Sequence, residues 1–241
     1  MGSNMSVEPS DRNSETGRGV MRWLAREVMG VLFVAASLFI PAGRLDWVMG
    51  WALVGLYAMW TAANAILLIP GNPELLAERA RRQKGIKTWD ALILSVIGLS
   101  TIAKHILAGL DVRFGWTARM SVALQIAALI IAALGYALVT WAMTANAFFS
   151  LANRIQEDRG HTVARGGPYQ YVRHPGYVGA LAFELATPIM LGSWWALIPG
   201  VLNALLIMVR TALEDKTLYS ELPGYAEYAG QTRYRLLPGV W

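Results

Sequence analysis

Gly166–Gly179 reads GGPYQYVRHPGYVG, and the change of character at Pro175 decides how the surrounding chain folds. Before it lies a polar, basic, glycine-containing loop. After it, from about Tyr177 to Leu191, runs an apolar segment whose single charge is Glu184. Proline suits the first turn of a helix, where its missing N–H has no partner to lose. A helix starting at Pro175 presents free backbone N–H groups and a positive dipole end to the loop, which favours a carboxylate or phosphate there. Arg173 and His174 stand at the mouth of that place. A cation and an imidazole at a membrane boundary are costly, and so mark a candidate site for a charged cofactor. The plainer reading is a basic loop with tyrosines 169, 171 and 177 in the aromatic belt of the interface.

Working outward, the chain is apolar at the scale of whole segments. Of its 241 residues, 55% are hydrophobic and 15% charged, against roughly 25% charged in soluble domains. Five more apolar segments accompany the one after Pro175. They run from about Trp23 to Ile40, Trp47 to Ile69, Trp89 to Leu110, Arg119 to Phe149 and Trp194 to Val209. The fourth in chain order, Arg119 to Phe149, is long enough to tilt or protrude. The last two are short for spans of about twenty residues and, joined by Gly192 and Ser193, read as a tight helical hairpin. The expected fold is all-α: a polytopic membrane bundle of five to six spans, with a disordered tail over 1–20 and one membrane domain over 21–241. The cofactor-binding part falls at about 150–241.

Charge gives the topology. Of the 21 lysines and arginines, all but Arg44, Arg113, Arg119 and Lys104 fall on one side when the N-terminus is placed inside. That bias predicts cytoplasmic termini, and an inner or plasma membrane location in a bacterium. The net charge of +5 therefore reports topology and not a nucleic-acid face. There is no cysteine and there are three histidines, so thiol nucleophiles and thiolate metal sites are excluded. No HExxH or Glu-x-x-His spacing points to a metal.

A second polar set, Arg210 and Glu214, closes the last apolar segment. The two residues are one helical turn apart and share a face. An antiparallel return brings them back to the depth of His174, so that two distant motifs converge on one pocket. A local Arg210–Glu214 ion pair is the plain alternative. Glu184, deeper in its segment, is either functional or structurally paired. Lys104 is expected to snorkel, His105 to be a packed, hydrogen-bonded residue, and Asn64 and Asn203 to bond between helices.

At these residues the chain resembles the isoprenylcysteine carboxyl methyltransferase family of integral membrane enzymes, which are similar in turn to the phospholipid N-methyltransferases. The matching elements are HTVARGGPYQYVRHPGYVG, RTALEDKTL and the ending PGYAEYAGQTRYRLLPGVW, in that order. NPELLAERARRQKG looks like the corresponding segment of bacterial members. The resemblance implies S-adenosylmethionine as cofactor without a Rossmann domain, and the chain has no GxGxxG. It implies cofactor contacts at Gln156, His161, Thr162, Val163, Ala164, Tyr169, His174, Pro175, Gly176, Tyr177 and Glu214. It implies an acceptor contact at Arg210, with Arg210 and Glu214 as the catalytic pair. The spacing from Gln156 to His161 is shorter than in the animal and fungal enzymes.

The reaction so implied is carboxyl O-methylation of a lipophilic, isoprenylcysteine-like acceptor drawn from membrane lipid, with no metal. On this expectation the acceptor carboxylate sits in a bidentate grip from Arg210. N- or S-methylation of a phospholipid headgroup or small thiol is the alternative within enzymes, and it needs a base, Glu184 or Glu214. A transporter or sensor on the same fold is the alternative of another class.

Overall fold

The structure, a computed structural model, describes residues 9–81 and 85–241, with side chains from residue 14 onward. Eight α-helices lie among the described residues: α1 Pro9–Ala42, α2 Val48–Gly71, α3 Pro73–Ala80, α4 Thr88–Phe114, α5 Val122–Thr144, α6 Pro175–Met190, α7 Leu197–Glu221 and α8 Tyr225–Gln231. No strand occurs among the described residues. Five helices, α1, α2, α4, α5 and α7, are long and apolar enough to cross a membrane. Their outer faces carry exposed Leu32, Ile66, Leu99, Ile130 and Ile198, the surface that lipid covers and water does not.

The helix boundaries follow local chemistry. Asn72 caps α3 by accepting from the Leu75 N–H at 3.2 Å, with Pro73 in its first turn. Ser121 does the same for α5 through Leu124. Gly115 ends α4 at φ 66°, a left-handed position that glycine adopts without strain. Between membrane helices there is no hydrophobic drive, so close approach of small residues decides packing. At the α5–α6 crossing a Cβ on Gly135 would lie 2.6 Å from the Gly179 carbonyl oxygen, and one on Gly179 would lie 2.4 Å from that of Gly135. No larger residue fits either position.

Several expectations change. Residues 9–20, expected within a disordered tail, form the first turns of α1, and Gly19 packs on Ala77 of α3; residues 1–8 lie outside the described residues. The segment Arg119–Phe149 does not protrude as one long helix. It is a single 23-residue span, α5, followed by a loop. The last segment does not stop at Val209, because α7 is 25 residues long, runs from Leu197 to Glu221 and carries the Arg210–Leu218 stretch with it. Its partner α6 has only 16 residues. Their connection is longer than Gly192–Ser193, reaching Ala196. Ser193 donates to Asp111 of α4 at 2.5 Å and accepts from the Ala196 N–H, which ties the hairpin tip to α4.

Lys104 does not snorkel. It is fully buried and donates to Glu184 Oε2 at 2.6 Å, while Asn203 donates to the same oxygen at 3.0 Å and to Thr101. Glu184 is thus one half of a structural pair, as two charges in hydrocarbon require. Asn203 bonds between helices as expected. Asn64 does not, since its amide donates to the Trp60 carbonyl one turn back. His105 is packed and shares a hydrogen bond with Ser37.

Antiparallel connections gather the start of α1, all of α3, the start of α4, the end of α5, the start of α6 and the end of α7 at one end of the bundle. Lys87–Glu221, Arg210–Asp90 and Arg79–Phe149 are contacts across that end. The loop from Ala145 to His174 and the C-terminal residues 222–241 cover it.

Candidate active site

A cavity of about 280 Å³ lies beneath that cover, near the small end of the roughly 300–1,000 Å³ found for ligand sites. Its wall includes His161, Thr162, Val163, Ala164, Tyr169, His174, Gly176 and Tyr177 from the loop and α6, and Arg210 and Glu214 from α7. The convergence of the two motifs is therefore real in three dimensions. Two expected members, Gln156 and Pro175, do not line it.

Gln156 is wholly buried and spent on the loop itself. Its Nε2 donates to the Phe148 carbonyl at 2.8 Å, its Oε1 accepts from Arg159 at 2.6 Å, and its backbone N–H donates to His161 Nδ1. It holds His161 in place. That ring packs on Phe148 at 4.7 Å, and burial, with Arg159 and Arg154 nearby, lowers its pKa to about 4. His161 is neutral at physiological pH and serves as wall. Pro175 starts α6 as expected, which leaves His174 in the cap position.

His174 is fixed from behind by a residue the sequence reading passed over. Asp215 accepts from Arg173 Nε and Nη2 at 2.8 and 3.0 Å, from Arg235 Nε at 2.7 Å and from the Tyr225 hydroxyl at 2.8 Å. His174 Nε2 lies 3.1 Å from the same carboxylate. An ionised carboxylate only accepts, so Nε2 carries the proton. Nδ1 then faces Glu214 Oε1 at 3.8 Å. The backbone completes the latch: the N–H groups of Arg173 and His174 donate to the carbonyls of Tyr234 and Arg235. Arg173, read as a guard at the mouth of the site, is instead a clamp that holds the C-terminal tail over it.

Glu214 is the more open carboxylate. Tyr177 donates to its Oε2 at 2.6 Å, and the side chain keeps 23% of its surface exposed. Tyr177 lies nearly parallel to His174 at 5.8 Å. Tyr169, whose hydroxyl accepts from Asn146, adds a further aromatic wall.

Arg210 is paired neither with Glu214 nor left free for a bidentate grip. Its Nε and Nη2 donate to Asp90 of α4 at 2.6 and 3.2 Å, and Nη2 also donates to the Leu151 carbonyl. Its guanidinium lies 5.4 Å from the Tyr177 ring centre. Asp90 is fully buried and also accepts from the Asn153 N–H at 2.6 Å. The signal for Asp90 was an acid at the very start of an apolar segment, level with Arg210 in depth. The fork edge that would clasp an acceptor is therefore already taken.

Glu184 lies outside the cavity wall, which leaves Glu214 as the carboxylate able to meet a ligand there. Among the described residues no group of three histidine or acidic side chains is placed to hold a metal.

Residues 123–220 match the model of the isoprenylcysteine carboxyl methyltransferase (ICMT) family. The match starts in α5 and ends in α7, and it bears out the resemblance seen at Arg173–Pro175 and Arg210–Leu218. No curated protein matches the chain.

Proposed function

We propose that this chain, a membrane methyltransferase of the isoprenylcysteine carboxyl methyltransferase family over residues 123–220, takes its methyl group from S-adenosylmethionine held in the cavity under the 145–174 loop. The observation that carries this reading is the open carboxylate of Glu214 set between Tyr177 and His174 in an aromatic-walled pocket. That donor set fits a ligand bearing an ammonium, hydroxyls, an aromatic base and a sulfonium. Glu214 would take the ammonium or a hydroxyl. Tyr169 and Tyr177 would flank the cationic and aromatic parts, and Thr162–Ala164 with His161 would form the remaining wall.

When bound, the cofactor supplies a methyl group on a positively charged sulfur, open to in-line displacement. The protein's work is then orientation and exclusion of water. The 145–174 loop and the tail, locked by Asp215, shield the cavity. Arg210 contributes a directed N–H beside Tyr177, because Asp90 has already neutralised its charge. An ionised carboxylate acceptor needs no base. An amine or thiol acceptor does, and Glu214 is the residue in reach.

The preferred reading is O-methylation of a lipophilic carboxylate on the cytoplasmic side. The test is transfer of labelled methyl from S-adenosylmethionine to a prenylcysteine, a phosphatidylethanolamine and a small thiol, using purified protein in detergent. Label in the prenylcysteine supports carboxyl transfer. Label only in the amine or the thiol replaces the acceptor, and label in none of them, with no cofactor binding, overturns the enzyme.

A further inference from the structure

The cavity wall carries four arginines, and three are neutralised. Arg210 has Asp90, Arg173 has Asp215, and Arg154 has Glu78 at 2.7 Å and Asp158 at 3.0 Å. Arg79, near the end of α3, has no carboxylate partner among the described residues. It is only 6% exposed, its Nε has no hydrogen-bond partner, and its remaining contacts are a 3.4 Å bond to the Phe149 carbonyl and that residue's ring at 5.7 Å. The amide nitrogen of Asn153, 4% exposed, is also without a partner, and so is Arg154 Nε. All three residues line the same cavity. Burial of a guanidinium with no ion-pair partner is costly, and unpaired buried donors call for an acceptor. Burial and Arg26 lower the Arg79 pKa to about 10, with Glu27 acting against them, so it remains a cation at neutral pH.

We propose that Arg79 and Asn153 form an anion-binding subsite for the methyl acceptor, taking a carboxylate or a phosphate carried on an amphiphile. The proposal rests on the methyltransferase reading above and names the acceptor's polar end. Two features favour the acceptor over the cofactor. Arg79 stands on α3, outside the 123–220 match that holds the loop and α6, and meets that loop at Phe149. Leu94, Val139 and Ala180, from helices α4, α5 and α6, supply apolar wall for a tail reaching in from the bilayer. With Glu214 free for a cation and Arg79 for an anion, the cavity suits a cationic donor and an anionic acceptor together. Arg79 thus takes over the charge role expected of Arg210.

The experiment measures binding without cofactor, by calorimetry in detergent, for two pairs of ligands: an S-prenylcysteine against its neutral carboxamide, and phosphatidic acid against diacylglycerol. The wild-type protein should bind the charged member of one pair at least tenfold more tightly, and the pair that shows this identifies carboxylate or phosphate as the source. Arg79→Gln should abolish that preference, Arg79→Lys should keep part of it, and Asn153→Ala should reduce it. No preference in the wild type, or one unchanged in Arg79→Gln, overturns the subsite. A fall in S-adenosylmethionine affinity in Arg79→Gln with the acceptor preference intact also overturns it, assigning Arg79 to the cofactor. Should Arg79→Gln not fold, an unchanged preference in both Arg79→Lys and Asn153→Ala decides against it. Failure of the wild type to bind S-adenosylmethionine strikes the methyltransferase reading and leaves this measurement standing.

Discussion

Glu214 and Asp215 are neighbours on α7, yet they belong to different regions of the molecule. Asp215 is 4% exposed and is met by Arg173, Arg235, Tyr225 and His174. Glu214 is turned about 100° around the helix and meets one hydroxyl, with His174 Nδ1 at 3.8 Å. One carboxylate is a closed latch, and the other is a group left wanting a partner. His174 joins them, with Nε2 toward the latch and Nδ1 toward the cavity. The contrast separates structure from function: where every charge has its counter-charge the region holds shape, and where one has none the proposed ligand contact falls. Arg210 falls with the latch by this measure, and Arg79 with the cavity.

Mutations can break this contrast. The largest effect is expected from Asp215→Asn, which leaves Arg173 and Arg235 without their carboxylate. Removing one partner of a buried pair costs about 3–5 kcal/mol. Melting in detergent should fall steeply, and limited proteolysis should cut first in the released tail. Unchanged melting would make the latch ornamental. Next come Asp90→Ala and Arg210→Ala. Each should destabilise by about 3 kcal/mol, and the double mutant should lose far less than the sum of the two. Additive losses would free Arg210 from Asp90 and restore it as a candidate grip for the acceptor. The smallest effect is expected for the joint replacement Lys104→Met with Glu184→Leu. A buried pair replaced by apolar residues of similar size is often neutral or stabilising, and neither residue lines the cavity. Methyl transfer that collapses in a well-folded double mutant would return Glu184 to the chemistry.

Much of this was legible in the sequence. Pro175 after His174, the basic loops and the Arg210–Glu214 spacing were enough to predict an all-helical membrane bundle with two motifs meeting at one end. Partner choice was not legible. Asp90 lies 120 residues from Arg210 and Asp215 lies 41 from His174, and no local pattern ties such residues together. Lys104 looked like a snorkelling residue because its pairing with Glu184 exists only across a helix crossing. The short appearance of the last segment had a related cause: α7 runs on past the apolar stretch, its last turns held by Asp90, Arg173 and Lys87 instead of lipid. Gln156 looked like a ligand contact, while its burial makes it a brace for His161.

The central claim is that Glu214 faces a cofactor and Asp215 faces the protein. Calorimetric titration of S-adenosylmethionine into the wild type and Glu214→Gln, with melting of both recorded beforehand, tests it most directly. The wild type should bind. Glu214→Gln should melt like the wild type and bind about ten- to a hundredfold more weakly, the loss of one charged hydrogen-bonding partner at roughly 1.5–3 kcal/mol. Equal affinity in the two proteins, or no binding to the wild type, would contradict the account.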